Sequence, residues 1–221
     1  LLSAFVRPAL WLFVFAAGVG SVTGVDPGIN NPYPIQNVNY FEYIIPGLIG
    51  MVLLFSGMQS SLSMVYDREM GVMRLLLTAP LPRWYLLTAK LLSGTFLSVL
   101  QAYVFLIICI PIINLLVNFS TPIIGWIYIL PATILFGMML GALGLLISVY
   151  IKQLENFAGT MNFVIFPMFF ISSALYPLWR LQDNGAEFVW WIANVNPFTY
   201  GVELVRWASL GQIYIPGFIV T

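Results

Sequence analysis

The chain has 221 residues, 61% of them hydrophobic and only 7% charged, with eight basic and eight acidic side chains in balance. An ordinary soluble domain carries roughly 25% charged residues, so a soluble fold of this length could not cover its surface, and a net charge of zero offers no basic stripe to nucleic acid. An integral membrane protein remains: the stretch 91–151 holds no Asp, Glu, Lys or Arg, room for two spans of about 20 residues each.

In chain order, span one is expected over about 4–22, with Arg7 and Pro8 at its entry, where the missing N–H of a proline is no loss. The following loop is rich in Pro, Gly and Asn and has no Lys or Arg. Span two is expected over about 43–66. Its Ser56, Gln59, Ser60 and Ser63 recur at helical spacing as one polar stripe, which one further turn extends to Asp67. Such a stripe either joins helices through hydrogen bonds or walls a substrate path, and the spacing leaves both open. The densest charge follows, with Asp67, Arg68, Glu69, Arg74, Arg83 and Lys90 around the apolar run from Met70 to Leu77. This reads as a short amphipathic helix over about 69–77, stopped by Pro80 and Pro82. It either lies on the membrane surface or docks into the groove of a cytoplasmic partner.

Spans three and four are expected over about 84–117 and 123–150, joined by a polar turn at 118–122. Gly137, Gly141 and Gly144 in span four permit close helix packing. Span five, over about 157–174, aligns Phe163, Phe166 and Phe170 on one face with Asn162 beside it, and Pro167 invites a kink. That face meets either lipid or an amphipathic substrate. The segment 176–210 interleaves Trp179, Trp190, Trp191 and Trp207 with charges, a mixture suited to the membrane–water interface. Two short interfacial or re-entrant helices are expected there, broken at 194–197. A sixth span opens near Ile213. The chain starts without Met in what already reads as a span, so both ends are expected to be truncated. Basic residues gather in the two–three and four–five loops, which the positive-inside rule places in the cytoplasm together with the N-terminus.

Subtraction removes the familiar membrane enzymes. There is no histidine, hence no Ser–His dyad and no HExxH zinc site. Asp26, Asp67 and Asp183 fall in loops or at span ends and cannot form a dyad at membrane depth. Lys90 follows Ala89 and Lys152 follows Ile151, so neither completes a phosphate-cradling GxxxxGK[ST] loop. Cys109 stands alone, without disulfide or metal-ligand spacing. No enzyme and no cofactor are expected in this chain. The absence of a mid-span acid gives little to an ion-coupled carrier.

The run from Tyr66 through Asp67-Arg68-Glu69-Met70-Gly71-Val72-Met73-Arg74-Leu75-Leu76-Leu77 to Pro80 resembles the cytoplasmic loop of type-2 ABC exporter permeases, the branch of nodulation-factor and daunorubicin exporters in particular. Phe5-Val6-Arg7-Pro8 with Trp11, and Asn196-Pro197-Phe198-Thr199-Tyr200-Gly201-Val202-Glu203-Leu204-Val205-Arg206, are similar to the same family in the same order. The resemblance implies an all-α, six-span permease in a bacterial cytoplasmic membrane, working as a homodimer with two copies of an ATP-binding subunit that holds ATP and Mg. It implies that Asp67, Arg68, Glu69, Met70, Met73, Arg74 and Leu77 couple to that subunit. Spans two and five would line the path through Ser56, Gln59, Ser60, Ser63, Asn162, Phe163, Phe166 and Phe170. An external lid would contain Tyr176, Trp179, Asn196, Pro197, Tyr200 and Glu203. Measured against that family, the amphipathic helix before span one is missing and span six is incomplete. The activity expected is ATP-driven export of a drug-like, lipid or lipid-linked saccharide amphiphile by alternating access. A non-transporting structural subunit and an ion-coupled carrier are the alternatives.

Overall fold

The computed structural model describes residues 10, 40–78, 82–117, 123–151, 153–175, 178 and 187–210. Span one apart from Leu10, the start of span six, the 118–122 turn, Tyr176 and Trp179 lie outside the described residues. Among the described residues seven helices follow one another and no strand occurs: α1 (Tyr40–Glu69), α2 (Val72–Thr78), α3 (Arg83–Val117), α4 (Ile123–Tyr150), α5 (Leu154–Phe170), α6 (Glu187–Val195) and α7 (Pro197–Leu210).

Three of them contain stretches long and apolar enough to cross a membrane, Tyr43–Glu69, Arg83–Cys109 and Ile127–Tyr150. Helix α5 has 17 residues, or about 25 Å at 1.5 Å per residue. It begins three residues before the expected span five and ends at Phe170, where the Ile171 N–H turns back to the Pro167 carbonyl at 2.9 Å. The expected 69–77 helix is corrected by its glycine. Gly71 takes φ 75°, the left-handed region that ends helices, so Glu69 closes α1 and a separate α2 starts at Val72.

Helix α1 is the axis of the bundle: 72% of its apolar window is buried, against 33% for α3 and 44% for α4. Lipid gives helices no hydrophobic reason to associate, so close backbone approach must supply the attraction, and small residues allow it. A Cβ on Gly94 of α3 would stand 2.3 Å from Ser60 Oγ, and one on Gly144 of α4 would stand 2.4 Å from Ser61 Oγ. Gly57 faces the backbone of Gly141. Helix α4 therefore runs parallel to α1, while α3 runs antiparallel to both. The outer side of α3 presents Leu92, Phe96, Leu100, Val104 and Ile107, all exposed at near four-residue spacing. Such an apolar stripe suits a side turned to lipid.

The re-entrant reading of 187–210 acquires a depth. Phe198, at the start of α7, is fully buried against Phe136 of α4 and Phe169 of α5, with ring centroids 5.3 and 6.1 Å apart. Gly50 of α1 lies against the same ring, while Arg206 further along α7 reaches Tyr43. Tyr43 and Gly50 are about 10 Å apart along α1, so the α6–α7 elbow enters the bundle by that much and α7 climbs back out.

Candidate functional site

Three consecutive charges at the α2 end of α1 each reach a different helix. Asp67 forms an ion pair with Lys90 of α3, both half-buried at 21% exposure. Arg68 Nη1 donates to the carbonyls of Ser148 (3.1 Å) and Val149 (3.2 Å), which close α4. The Leu154 N–H, first of α5, donates to Glu69 Oε2 at 3.0 Å. These are groups that a helix end leaves without an intrahelical partner. Gln153, the N-cap residue of α5, makes no side-chain capping bond to it, so Glu69 supplies that cap from another helix. The anion at a helix N-terminus and the cation at a C-terminus also match the two helix dipoles.

Asp67, Arg68 and Glu69 thus spend their charge inside the chain. Helix α2 spends none of its own: no residue of it is buried. Val72, Leu75 and Leu77, with Met70 just before them, are exposed large apolar side chains, Arg74 is exposed among them, and Met73 is half-buried.

The opposite end of α1 is held by the motif at 196–206. Asn196 Nδ2 donates to the carbonyls of Met168 and Ile171, both at 2.7 Å, and its Oδ1 accepts the Phe198 N–H at 3.0 Å. It therefore caps α7 while satisfying carbonyls at the end of α5. Pro197 occupies the first helical position, where it is best tolerated. Thr199 and Tyr200 donate to the Ala193 and Asn194 carbonyls, at 2.8 and 2.7 Å, tying α7 back to α6. Glu203 and Arg206 form an ion pair with 1% and 0% side-chain exposure. Arg206 Nη2 also donates to the Ser173 carbonyl at 2.8 Å, and its guanidinium stacks 3.9 Å from the Tyr43 ring centroid. Tyr43 itself donates to that carbonyl at 2.9 Å. These two charges belong to the packed interior, a correction to the interfacial reading of the segment. Tyr200, Trp191 and Trp207 do remain exposed.

The polar stripe of α1 divides. Ser56 donates to Gln101 Oε1 of α3, and Ser60 packs on Gly94, so these two join helices. Gln59 and Ser63 are exposed. Beside them α5 buries Phe157, Met161, Ile165 and Phe169 at four-residue spacing and leaves Asn162, Phe163, Phe166 and Phe170 open. Phe166 meets Phe55 of α1 edge-on at 6.3 Å and stacks with Phe170 at 6.2 Å. The antiparallel register from Glu69–Leu154 to Phe55–Phe166 sets Gln59 level with Asn162. One uncovered face, polar along α1 and aromatic along α5, results.

Sequence reasoning missed the partners rather than the residues. Gln101 was legible, as a long polar side chain in a charge-free run. The backbone groups that Arg68, Glu69 and Asn196 satisfy carry no sequence signal.

A bundle of apolar helices with glycine-mediated contacts, an exposed amphipathic helix at one end and re-entrant helices at the other defines an all-α membrane permease. The sequence model of the ABC-2 type transporter family matches residues 1–210, and the chain belongs to that family. It is 27% identical over 210 residues to the transport permease ycf38 of Cyanophora paradoxa, covering 93% of this chain and 66% of that protein. It is 26% identical to the probable multidrug ABC transporter permease YbhR of Escherichia coli K12 (81% and 45%) and 22% identical to the inner membrane transport permease YadH of the same strain (96% and 75%). The chain thus spans less than two thirds of the length of ycf38 and under half that of YbhR. No solved structure matches it.

Proposed function

We propose that this chain is the membrane subunit of an ATP-driven exporter, with α2 as the surface that a cytoplasmic ATP-binding subunit grips. One observation carries the reading: a seven-residue helix with three large apolar side chains exposed and none of its residues buried, fastened to the axial helix through Met70 and Gly71. Exposed apolar side chains beside a charged anchor suit a helix laid into a partner groove. Two permease copies with two ATP-binding subunits, ATP and Mg residing in the latter, complete the working unit. The second copy would face the open α1–α5 surface, and Gln59, Ser63, Asn162, Phe163, Phe166 and Phe170 would wall the path between them. A neutral face of amides, hydroxyls and phenyl rings favours an amphipathic, drug-like or lipidic substrate over a charged sugar. The Asn196–Glu203 elbow, with Pro197 and Tyr200, would close the path externally. Glu203 is the buried acid that an ion-coupled carrier would need, but its charge is matched by Arg206.

Affinity purification of the full-length protein in mild detergent, with mass spectrometry of its companions, tests the reading. A stoichiometric ATP-binding subunit is expected, and a permease that arrives alone in several detergents would overturn it. Leu75→Asp or Leu77→Asp should weaken retention of that subunit by about 30-fold, the scale of a hot-spot residue at roughly 2 kcal/mol, without lowering the melting temperature of the permease.

A further inference from the structure

Arg68 and Glu69 are adjacent in sequence and grip the two sides of one connection. Arg68 holds the last carbonyls of α4, at Ser148 and Val149. Glu69 holds the first N–H of α5, at Leu154. Between Val149 and Leu154 lie four residues of chain, 150–153, and α5 has no side-chain cap of its own at Gln153. Both residues sit in the last turn of α1, and two positions later Gly71 leads into α2.

We infer that Arg68 and Glu69 are positioning residues that deliver the movement of α2 to the ends of α4 and α5, so that α5 moves with α1 instead of trailing behind it. The inference rests on the reading of α2 as the helix gripped by an ATP-binding subunit. A push on α2 reaches α1 through Met70 and Gly71, and the glycine is a joint with rotational freedom. Helix α5 receives nothing through the chain, because α3 and α4 intervene. Its buried edge of Phe157, Met161, Ile165 and Phe169 can slide on apolar neighbours, whereas a charge-assisted bond to its first N–H fixes its height. The carboxylate is directional where the packing is not. Arg68 keeps the α4–α5 connection from absorbing the displacement.

The proposal separates acceptor from charge. Glu69→Gln keeps an oxygen that accepts the Leu154 N–H, and Glu69→Ala removes it. Leu154→Pro removes the donor from the other side. Proline is well tolerated at the first position of a helix, and the Gln153 backbone, at φ −109° and ψ 137°, already has the extended conformation that a following proline requires. That substitution leaves the residues of α1 and α2 themselves unchanged.

The experiment uses the full-length permease with its ATP-binding subunit in lipid nanodiscs, spin-labelled at Thr88→Cys on α3 and Ala158→Cys on α5, both exposed positions. Electron–electron distance measurements are taken before and after trapping with ATP and vanadate. The parent should shift on trapping, Glu69→Gln should shift equally, and Glu69→Ala and Leu154→Pro should each lose more than half of the shift. Parental shifts in both of the latter would overturn the inference, as would a parent that does not shift. If Glu69→Gln failed as Glu69→Ala does while Leu154→Pro behaved as parent, the charge would be acting on the partner and the inference would fall. Should Leu154→Pro not fold, the Gln and Ala variants decide between them. A parent that retains no ATP-binding subunit sinks the proposed function itself, a result distinct from all of these.

Discussion

Among the described residues Arg206 is the largest charged group with no solvent exposure, and its environment explains why it can exist there. Burying a lone guanidinium is prohibitive, but here a carboxylate, a carbonyl and a phenol ring surround it. Removing one member of such a pair leaves the other uncompensated, at about 3–5 kcal/mol, while replacing both by apolar residues of similar volume is often near neutral. Arg206→Met and Glu203→Leu should therefore each lower the thermal midpoint of the detergent-purified protein sharply, and the double variant should recover most of the loss. Additive losses in the double variant would mean that the pair is not a coupled unit. Gly201 makes a second residue-scale point. A Cβ there would fall 2.1 Å from the ring of Phe136, itself buried on α4. Gly201→Ala should destabilise by about 1–3 kcal/mol, the usual range for overpacking. Combining it with Phe136→Leu should restore part of the midpoint. An Ala variant as stable as parent would show that α7 can retreat from α4.

At the scale of elements, α3 and α5 both carry exposed apolar side chains, yet for different reasons. Along α3 the stripe Leu92, Phe96, Leu100, Val104 and Ile107 is uniformly aliphatic or aromatic, as a lipid face must be. Along α5 the exposed positions mix Asn156, Gly159 and Asn162 with Phe163 and Phe166, and a helix fully turned to lipid would not retain those amides. The difference predicts which helix meets a second copy. A Cβ at Gly159 would touch nothing within 4 Å, so Gly159→Cys presents a thiol on that open face. Mild oxidation in membranes should give a covalent dimer on a non-reducing gel for Gly159→Cys and not for Phe96→Cys on α3. Cross-linking only through Phe96→Cys would move the interface to α3. The elements were largely legible from sequence, because runs free of charge define spans and Pro–Gly clusters define their ends. The offset at 69–77 arose because the apolar run ignores Gly71, whose φ decides where one helix stops. The division of the Ser56–Ser63 stripe was not legible, since helical spacing fixes a face but not the neighbour that covers it. Gly94 and Gln101, which lie on α3 far along the chain from their partners Ser60 and Ser56, turn part of it inward.

For the whole molecule, the two ends of α1 are tied by different chemistry. At the α2 end are Asp67–Lys90, Arg68 and Glu69; at the other are Asn196, Tyr43 and the buried Arg206 pair. This bears on orientation. The positive-inside rule weighs basic residues flanking the spans, and a tally by sequence sets Arg180 and Arg206 against the loop holding Arg68, Arg74, Arg83 and Lys90. Arg206 is neutralised in the protein interior, as Lys90 is by Asp67, while Arg74 and Arg83 at the α2 end stay exposed as basic charges. Arg83 opens α3 beside Trp84 and Tyr85, exposed rings in edge-on contact at 6.1 Å, the aromatic anchor expected where a span leaves the membrane. The α2 end is therefore expected in the cytoplasm and α6 outside. Thr78→Cys and Glu187→Cys are both exposed positions, at opposite ends of the bundle. A membrane-impermeant maleimide should label Glu187→Cys in intact cells and Thr78→Cys only after permeabilisation. The native Cys109 is buried and should stay silent in both. The reverse pattern would put α2 on the side without ATP, and an ATP-binding subunit could then not reach it.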